Sequence, residues 1–208
     1  VSTGKCLRVL KPTHDTRNLG IVPSGMKMEF SPDSTLLYVL FSSCILVWRV
    51  DTGQCIQQLC RGRSSLRCMV VLALHLVACG TERGDIYIWE AETGLMTSQF
   101  NAHTGSVKSL AFTSELRLLA SGSSQGEIRL WDTGTWSAFY VQKLPDGGPV
   151  LQIAFANDLA LVAVAGWAAV TIWDLTTNQL AHKFSLSDKV RRISFLAGSV
   201  FVLLRDGR

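Results

Sequence analysis

Short apolar runs recur along the chain and are separated by turns rich in Gly, Asn, Asp and Ser. The stretch 107–131 is typical: one run begins at Val107, a second precedes a small-residue turn at 120–126, and a third ends at Trp131. Runs of this length with β-branched and aromatic residues predict strands joined by tight turns. No segment shows sustained helical periodicity, so the pattern predicts an all-β fold.

The apolar runs belong to a repeat that is marked by tryptophan. Four tryptophans end comparable runs and follow one another at nearly constant intervals: Trp48, Trp89, Trp131 and Trp173. Each tryptophan is followed by a turn such as Asp51-Thr52-Gly53, and each is preceded by two further apolar runs. A period of roughly 40 residues with four strands per unit predicts the antiparallel blades of a β-propeller.

These units resemble the WD-repeat family of β-propellers, and the resemblance covers nearly the whole chain. The best match runs from His103-Thr104-Gly105-Ser106-Val107 through Leu119-Ala120-Ser121-Gly122-Ser123 to Ile128-Arg129-Leu130-Trp131-Asp132. The Trp-Asp pair recurs at Trp173-Asp174, whereas Trp48 and Trp89 are followed by Arg and Glu. The resemblance implies rigid four-stranded blades and a function in protein interaction.

Repeat boundaries divide residues 1–208 into four full blades and two partial ones. Blades are expected to end near residues 10, 60, 101, 144 and 185, and a partial blade occupies 186–208. Residues 3–10 resemble residues 52–59, which form the outermost strand of a blade. We therefore expect an incomplete ring in this chain, an internal piece of a longer propeller protein, and missing blades or a larger complex to complete it.

The resemblance also implies structural roles for particular side chains. In WD repeats a histidine, a serine or threonine, an aspartate and the tryptophan commonly form a buried hydrogen-bond network. Here His103, Ser121 and Trp131 match, but Gln125 occupies the aspartate position. The four repeat tryptophans are accordingly expected to be structural, with apolar packing contributing more than the polar network: Trp48, Trp89, Trp131 and Trp173.

Composition narrows the class of protein. Apolar residues make up 48% of the chain and charged residues only 17%, which excludes a disordered chain. The formal net charge of +4 falls short of a dedicated nucleic-acid binder, so nucleic acid is not expected as a partner. The longest apolar stretch, 159–173, is too short to span a membrane as a helix, and no membrane association is expected.

All six cysteines lie in the first part of the chain, between Cys6 and Cys79. A chain with so large a predicted core does not need a disulfide framework, and the cysteine spacing does not match a zinc site. Free, mostly buried thiols are therefore favoured over a metal site or a disulfide. This usage predicts an intracellular protein, cytoplasmic or nuclear.

The sequence carries no recognisable catalytic motif. It lacks HExxH, a phosphate-binding loop and a nucleophile elbow, so we predict no catalytic residue, no cofactor and no metal. The function predicted is a non-catalytic scaffold that docks other proteins. Two alternatives stay open: a C-terminal sensor propeller of a nucleotide-dependent enzyme, and a structural subunit of a ciliary or cytoskeletal assembly.

The repeat alignment also predicts a binding surface. In WD repeats the residue after the first apolar position of the innermost strand usually faces the channel, and here that position holds Lys27, Arg67, Lys108, Leu151 and Arg191. Four cations at one opening would favour an acidic peptide, a phosphorylated segment or another polyanion. Glu82 and Ser124 are expected on the rim of the same face. The plainer alternative is that exposed strand starts simply tolerate Lys and Arg.

Overall fold

The computed structural model describes residues 27–60, 64–73, 75–156, 160–167, 169–186, 190–196 and 199–204. Over these ranges the chain forms eighteen strands, which fall into five antiparallel sheets. No helix in the described ranges is long and apolar enough to cross a membrane. The predicted blade end near residue 10 lies outside the described residues.

Each of the first four sheets contains four strands that are consecutive in the chain, and the fifth contains two. The first sheet comprises β1 (Lys27–Phe30), β2 (Leu36–Leu40), β3 (Cys44–Arg49) and β4 (Cys55–Cys60). The second comprises β5 (Leu66–Val71), β6 (Leu76–Thr81), β7 (Asp85–Glu90) and β8 (Met96–Asn101). The third comprises β9 (Val107–Thr113), β10 (Leu118–Ser123), β11 (Glu127–Asp132) and β12 (Ala138–Lys143).

The fourth sheet comprises β13 (Gln152–Ala156), β14 (Leu161–Ala165), β15 (Ala169–Asp174) and β16 (Gln179–Ser185). The two strands of the fifth are β17 (Val190–Leu196) and β18 (Ser199–Leu204). Four antiparallel strands per repeat confirm the predicted propeller blades, and the two-stranded sheet is the partial blade after the fourth. The four repeat tryptophans all lie near the end of the third strand of their sheets.

The sheets pack face to face in chain order, and an apolar cluster fills each interface. One cluster joins the first and second sheets through side chains such as Leu36, Met69 and Trp89. Three further clusters join the second to the third, the third to the fourth, and the fourth to the fifth sheet. Strands covered on both faces read as continuous apolar runs, and β14 (LVAVA) is one of these.

In the second, third and fourth sheets the first strand is mostly buried and the fourth strand is the most exposed. The first strands of neighbouring sheets contact one another in the order β1, β5, β9, β13 and β17, so they form the inner layer. The fourth strands lie outermost: β8 alternates between half-buried and exposed residues, and β16 is exposed throughout. This radial arrangement brings the starts of five inner strands to one place.

Candidate functional site

A cavity of about 580 Å³ lies where the inner strands begin. Five basic side chains line it: Lys27, Arg67, Lys108, Arg191 and Arg192. Leu151, the apolar residue at the aligned position of the fourth sheet, lines it as well. The structure therefore brings together the five residues that the alignment placed at the channel, and it adds Arg192, which the alignment did not single out.

Three of the cations occupy the same local backbone feature. Arg67, Lys108 and Arg191 are each the extra residue of a β-bulge, because the neighbouring strand pairs with the residues on either side and skips them. A bulge turns the extra side chain away from the regular alternation of the strand. The repeated bulge thus aims one basic side chain from each of three sheets at the cavity.

Acidic partners neutralise only part of this charge. The Lys27 ammonium donates to the Met69 carbonyl at 2.6 Å and lies 3.3 Å from a Glu29 carboxylate oxygen. The Arg67 guanidinium pairs with Glu82 at 2.9 Å. Within the described part of the chain, the other three basic side chains of the cavity have no acidic partner: Lys108, Arg191 and Arg192. The cavity therefore keeps a net positive charge.

The two predicted rim residues lie on the same face but outside the lining of the cavity. Glu82 follows β6, whose end pairs with the start of β5, and Ser124 follows β10, whose end pairs with the start of β9. The Ser124 amide donates to the Ser106 carbonyl at 2.8 Å, which fixes the loop before β9. Glu82 reduces the positive charge at the opening of the cavity through its ion pair with Arg67.

A buried polar network lies in the third sheet. The Ser121 hydroxyl oxygen accepts from the Trp131 indole at 2.9 Å and lies 2.7 Å from His103 Nε2. His103 Nδ1 lies 3.2 Å from Glu127 Oε2, and Arg129 donates twice to the other carboxylate oxygen. Glu127, two residues after Gln125, supplies the acid of this network. The third sheet therefore has a complete polar network, and the prediction of an incomplete one is wrong for this sheet.

Burial decides the charge state of this network. Burial lowers the pKa of His103, against the effect of the adjacent Glu127, so the imidazole is neutral. Burial raises the pKa of Glu127, but hydrogen bonds from Arg129 and His103 outweigh it and hold that pKa below its usual range. A neutral imidazole then donates from Nδ1 to Glu127 and accepts the Ser121 hydroxyl proton at Nε2.

These residues have the types of a Ser-His-acid triad, but their placement does not suit catalysis. Ser121 is fully buried and His103 is 1% exposed, so neither can contact a substrate. The serine oxygen is also engaged by the Trp131 indole. The network instead fixes the loop before β9. The start of this loop is held by the Gly84 carbonyl, which accepts from the amides of Ala102 and His103.

The indole N–H groups of the other three repeat tryptophans differ in their hydrogen-bond partners. Trp173 donates to the Thr171 hydroxyl at 3.1 Å, and Trp89 donates to the Cys79 thiol. The Trp48 indole nitrogen is buried and has no hydrogen-bond partner among the described residues. All four tryptophans are at most 7% exposed, so packing holds each of them whether or not a polar partner is present.

The described cysteines are free thiols: Cys44, Cys55, Cys60, Cys68 and Cys79. Burial raises the pKa of Cys68 and of Cys79 to about 12, so both thiols stay protonated. In the ranges that the structure describes, no group of three or more His, Cys, Asp or Glu side chains could hold a metal ion.

Comparison with known proteins agrees with this architecture. Residues 6–206 match the β-propeller family described as "Nucleolar protein 10-like, N-terminal domain". The Periodic tryptophan protein 2 homolog of Schizosaccharomyces pombe is 35% identical over 103 residues, which is 49% of this chain and 12% of that protein. The chain thus matches only a small part of that relative's length.

A solved structure shares the fold. A chain in the crystal structure of the mitotic checkpoint complex superposes with a TM-score of 0.76 over 85% of this chain and 56% of its own length. The sequence identity is 16%, so this likeness concerns the fold alone.

Proposed function

Because the chain belongs to the Nucleolar protein 10-like, N-terminal domain family of β-propellers, we propose that it is a non-catalytic platform for protein docking. Its docking surface is the cationic cavity, and its ligand is an acidic or phosphorylated segment of a partner protein. Lys27, Arg67, Lys108 and Arg191 make the contacts, while Glu82 and Ser124 adjust the charge and hydrogen bonding at the rim.

The convergence of unpaired cations is the observation that carries this proposal. Lys108, Arg191 and Arg192 line one concave space and have no acidic partner in the described ranges. Like charges held together raise the local potential and attract an anionic segment. The planar guanidinium groups of the two arginines suit bidentate contacts with carboxylate or phosphate.

The family description supports a nuclear location for the chain, since it names a nucleolar protein. The free thiols of the described residues agree with this location, because thiols stay reduced in the nucleus. Microscopy of the tagged full-length protein tests this, and an exclusively cytoplasmic signal would contradict it.

Fluorescence anisotropy with a labelled peptide of eight glutamates tests the docking proposal directly. The full-length protein is expected to bind this peptide, with an affinity that falls as salt is raised. The double variant Lys108→Glu/Arg191→Glu is expected to bind at least about ten-fold more weakly. A peptide with phosphoserine at alternate positions shows whether phosphate is preferred over carboxylate.

A matched control is available at the opposite end of the strands. Arg49 ends β3 and Arg117 precedes β10, so Arg49→Glu/Arg117→Glu makes the same change in charge away from the cavity. This control is expected to bind the peptide like the unmodified protein. Equal loss in both double variants would contradict a local site, as would tighter binding of a single-stranded oligonucleotide than of either peptide.

A further inference from the structure

A second pocket, of about 200 Å³, lies between the loop after β12 and the loop that joins β14 to β15. Leu144, Gly166 and Ala169 contribute to its lining, and Trp167 forms one wall. Trp167 is 57% exposed, whereas the four repeat tryptophans are 4–7% exposed. A cavity of about 150 Å³ is enough to hold a benzene ring, so this pocket can take one bulky side chain.

Two short loops build the pocket. The loop after β12 turns back at Gly147, whose amide donates to the Leu144 carbonyl at 3.0 Å, and Leu144 is tied to the Gly126 carbonyl at 2.9 Å. The loop between β14 and β15 is held by the Gly166 amide, which donates to the Ala169 carbonyl at 2.9 Å. A Cβ added at Gly148 would meet no atom within 4 Å, so the space above the pocket is open.

Strand register places this pocket on the same face as the cationic cavity. Gln152, which lines the cavity at the start of β13, pairs with Ala165 at the end of β14. Gly166 and Trp167 follow directly, so their loop lies at the same end of the sheet. Neighbouring strands are about 4.8 Å apart and an extended chain rises about 3.3 Å per residue, so a linker of about two to five residues spans roughly one to three strand spacings.

Charge at the rim of the pocket is already balanced. The Asp146 carboxylate, which contributes to the lining, pairs with the Lys183 ammonium at 2.8 Å. The rim therefore presents little repulsion to an acidic ligand and offers no free carboxylate to attract a basic side chain. An apolar side chain fits the exposed indole and the small apolar residues better than a charged one.

We propose that the Trp167 pocket is the apolar subsite of the docking surface. It takes one bulky apolar side chain of an extended partner segment whose acidic residues occupy the cationic cavity. The proposal rests on the docking function argued above and adds a specificity element to it: the pocket selects, among acidic segments, those with an apolar residue at the correct distance.

The test is a comparison of two proteins and paired peptides by anisotropy. Each peptide carries four glutamates and one phenylalanine, separated by two to five glycine or serine residues. The glutamates precede the phenylalanine in one set of peptides and follow it in the other. Each has a partner in which alanine replaces the phenylalanine. At the best spacing, the phenylalanine peptide is expected to bind the full-length protein about ten-fold more tightly than its partner. In the variant Trp167→Ala, the ratio of the affinity for the phenylalanine peptide to the affinity for the alanine peptide is expected to fall to about one.

The variant Phe139→Ala is the matched control, because Phe139 is also a largely exposed aromatic residue but lies on the outer strand β12. Its ratio is expected to stay near ten. Equal binding of both peptides at every spacing overturns the subsite while leaving acidic docking intact. Tighter binding of a peptide with lysine in place of phenylalanine also overturns it. Absence of binding by every acidic peptide instead overturns the docking function itself.

Discussion

The first and third sheets have the same order of four antiparallel strands, yet they support their tryptophans by different means. Ser121, which faces Arg129 two residues before Trp131, accepts from the indole, whereas the residue at the same place in the first sheet is the buried Val39, which faces Leu46. The Trp48 indole nitrogen has no partner among the described residues. Both tryptophans are nonetheless buried to a similar degree.

A second matched position shows the same difference. Four residues before the tryptophan, Glu127 faces Lys143 in the third sheet and Cys44 faces Cys60 in the first. In the third sheet Glu127 accepts from His103, and this hydrogen bond ties the preceding loop to the strand. The comparison indicates that packing places the tryptophan in every sheet, while the polar network adds local stability to one loop next to the cationic cavity.

The largest expected effect comes from removing the histidine of the network. His103→Ala removes one hydrogen-bond partner from Ser121 and one from Glu127 and opens a cavity, so we expect a loss of about 3 kcal/mol in the free energy of unfolding. Denaturant titration of the full-length protein measures it. His75→Ala is the control, because His75 is partly exposed and its nearest acid is 3.9 Å away. A similar loss in both variants would contradict the role of the network.

Acid is expected to weaken the third sheet through the same histidine. The pKa of His103 is lowered in the folded protein, so between that value and the ordinary 6.5 the unfolded chain binds a proton that the folded chain does not. Stability is therefore complete above about pH 6.5 and falls as the pH is lowered, with a slope limited to about 1.4 kcal/mol per pH unit for one proton.

Unfolding titrations between pH 7.5 and pH 5 measure this dependence. The variant His103→Gln, which cannot titrate, is expected to lose less stability over the same range. An identical pH profile in the variant and the unmodified protein would show that other groups control the acid sensitivity.

Matched tryptophan substitutions isolate the indole hydrogen bond. Trp131→Phe and Trp48→Phe remove similar ring volume, but only the first breaks a hydrogen bond and leaves Ser121 without a donor. We expect Trp131→Phe to cost about 1 kcal/mol more than Trp48→Phe in the free energy of unfolding. Equal costs would mean that the bond to Ser121 contributes nothing beyond packing.

The smallest effect concerns reactivity rather than stability. A hydrogen bond from the Cys44 thiol lowers the pKa of Cys60 to about 7, and Cys60 is exposed. Alkylation by iodoacetamide at pH 7, followed by mass spectrometry, is expected to be faster at Cys60 than at Cys55, whose pKa is raised by burial. Cys44→Ala is expected to slow the reaction at Cys60. An unchanged alkylation rate at Cys60 would show that the Cys44 thiol does not control the reactivity of Cys60.

The repeat could be predicted from the sequence because strands and turns leave a strong local pattern. The nearly constant interval between the repeat tryptophans predicted four-stranded antiparallel sheets, and the structure confirms them. The alignment also selected Lys27, Arg67, Lys108 and Arg191, whose side chains line one cavity. Their role in binding stays a prediction, as do the blade boundaries.

Three features of the molecule depend on details that a linear pattern does not show. The bulges at Arg67, Lys108 and Arg191 arise from pairing between strands, and only the register reveals them. Glu127 joins the polar network from a position inside a strand, where a search for an acid at Gln125 does not find it. Trp167 lies outside the tryptophan position of the repeat, which the sequence shows. Its pocket, however, is formed by the loop after β12 together with the loop between β14 and β15, and the sequence does not show that these loops meet.

The most direct test of the cationic cavity as a docking surface is hydrogen–deuterium exchange of the full-length protein with and without the glutamate peptide. Docking in the cavity predicts slower exchange at the starts of β5, β9 and β17, where Arg67, Lys108 and Arg191 stand, and unchanged exchange in the outer strand β12. Protection confined to the outer strands, or no protection at the three inner strands under saturating peptide, would contradict it.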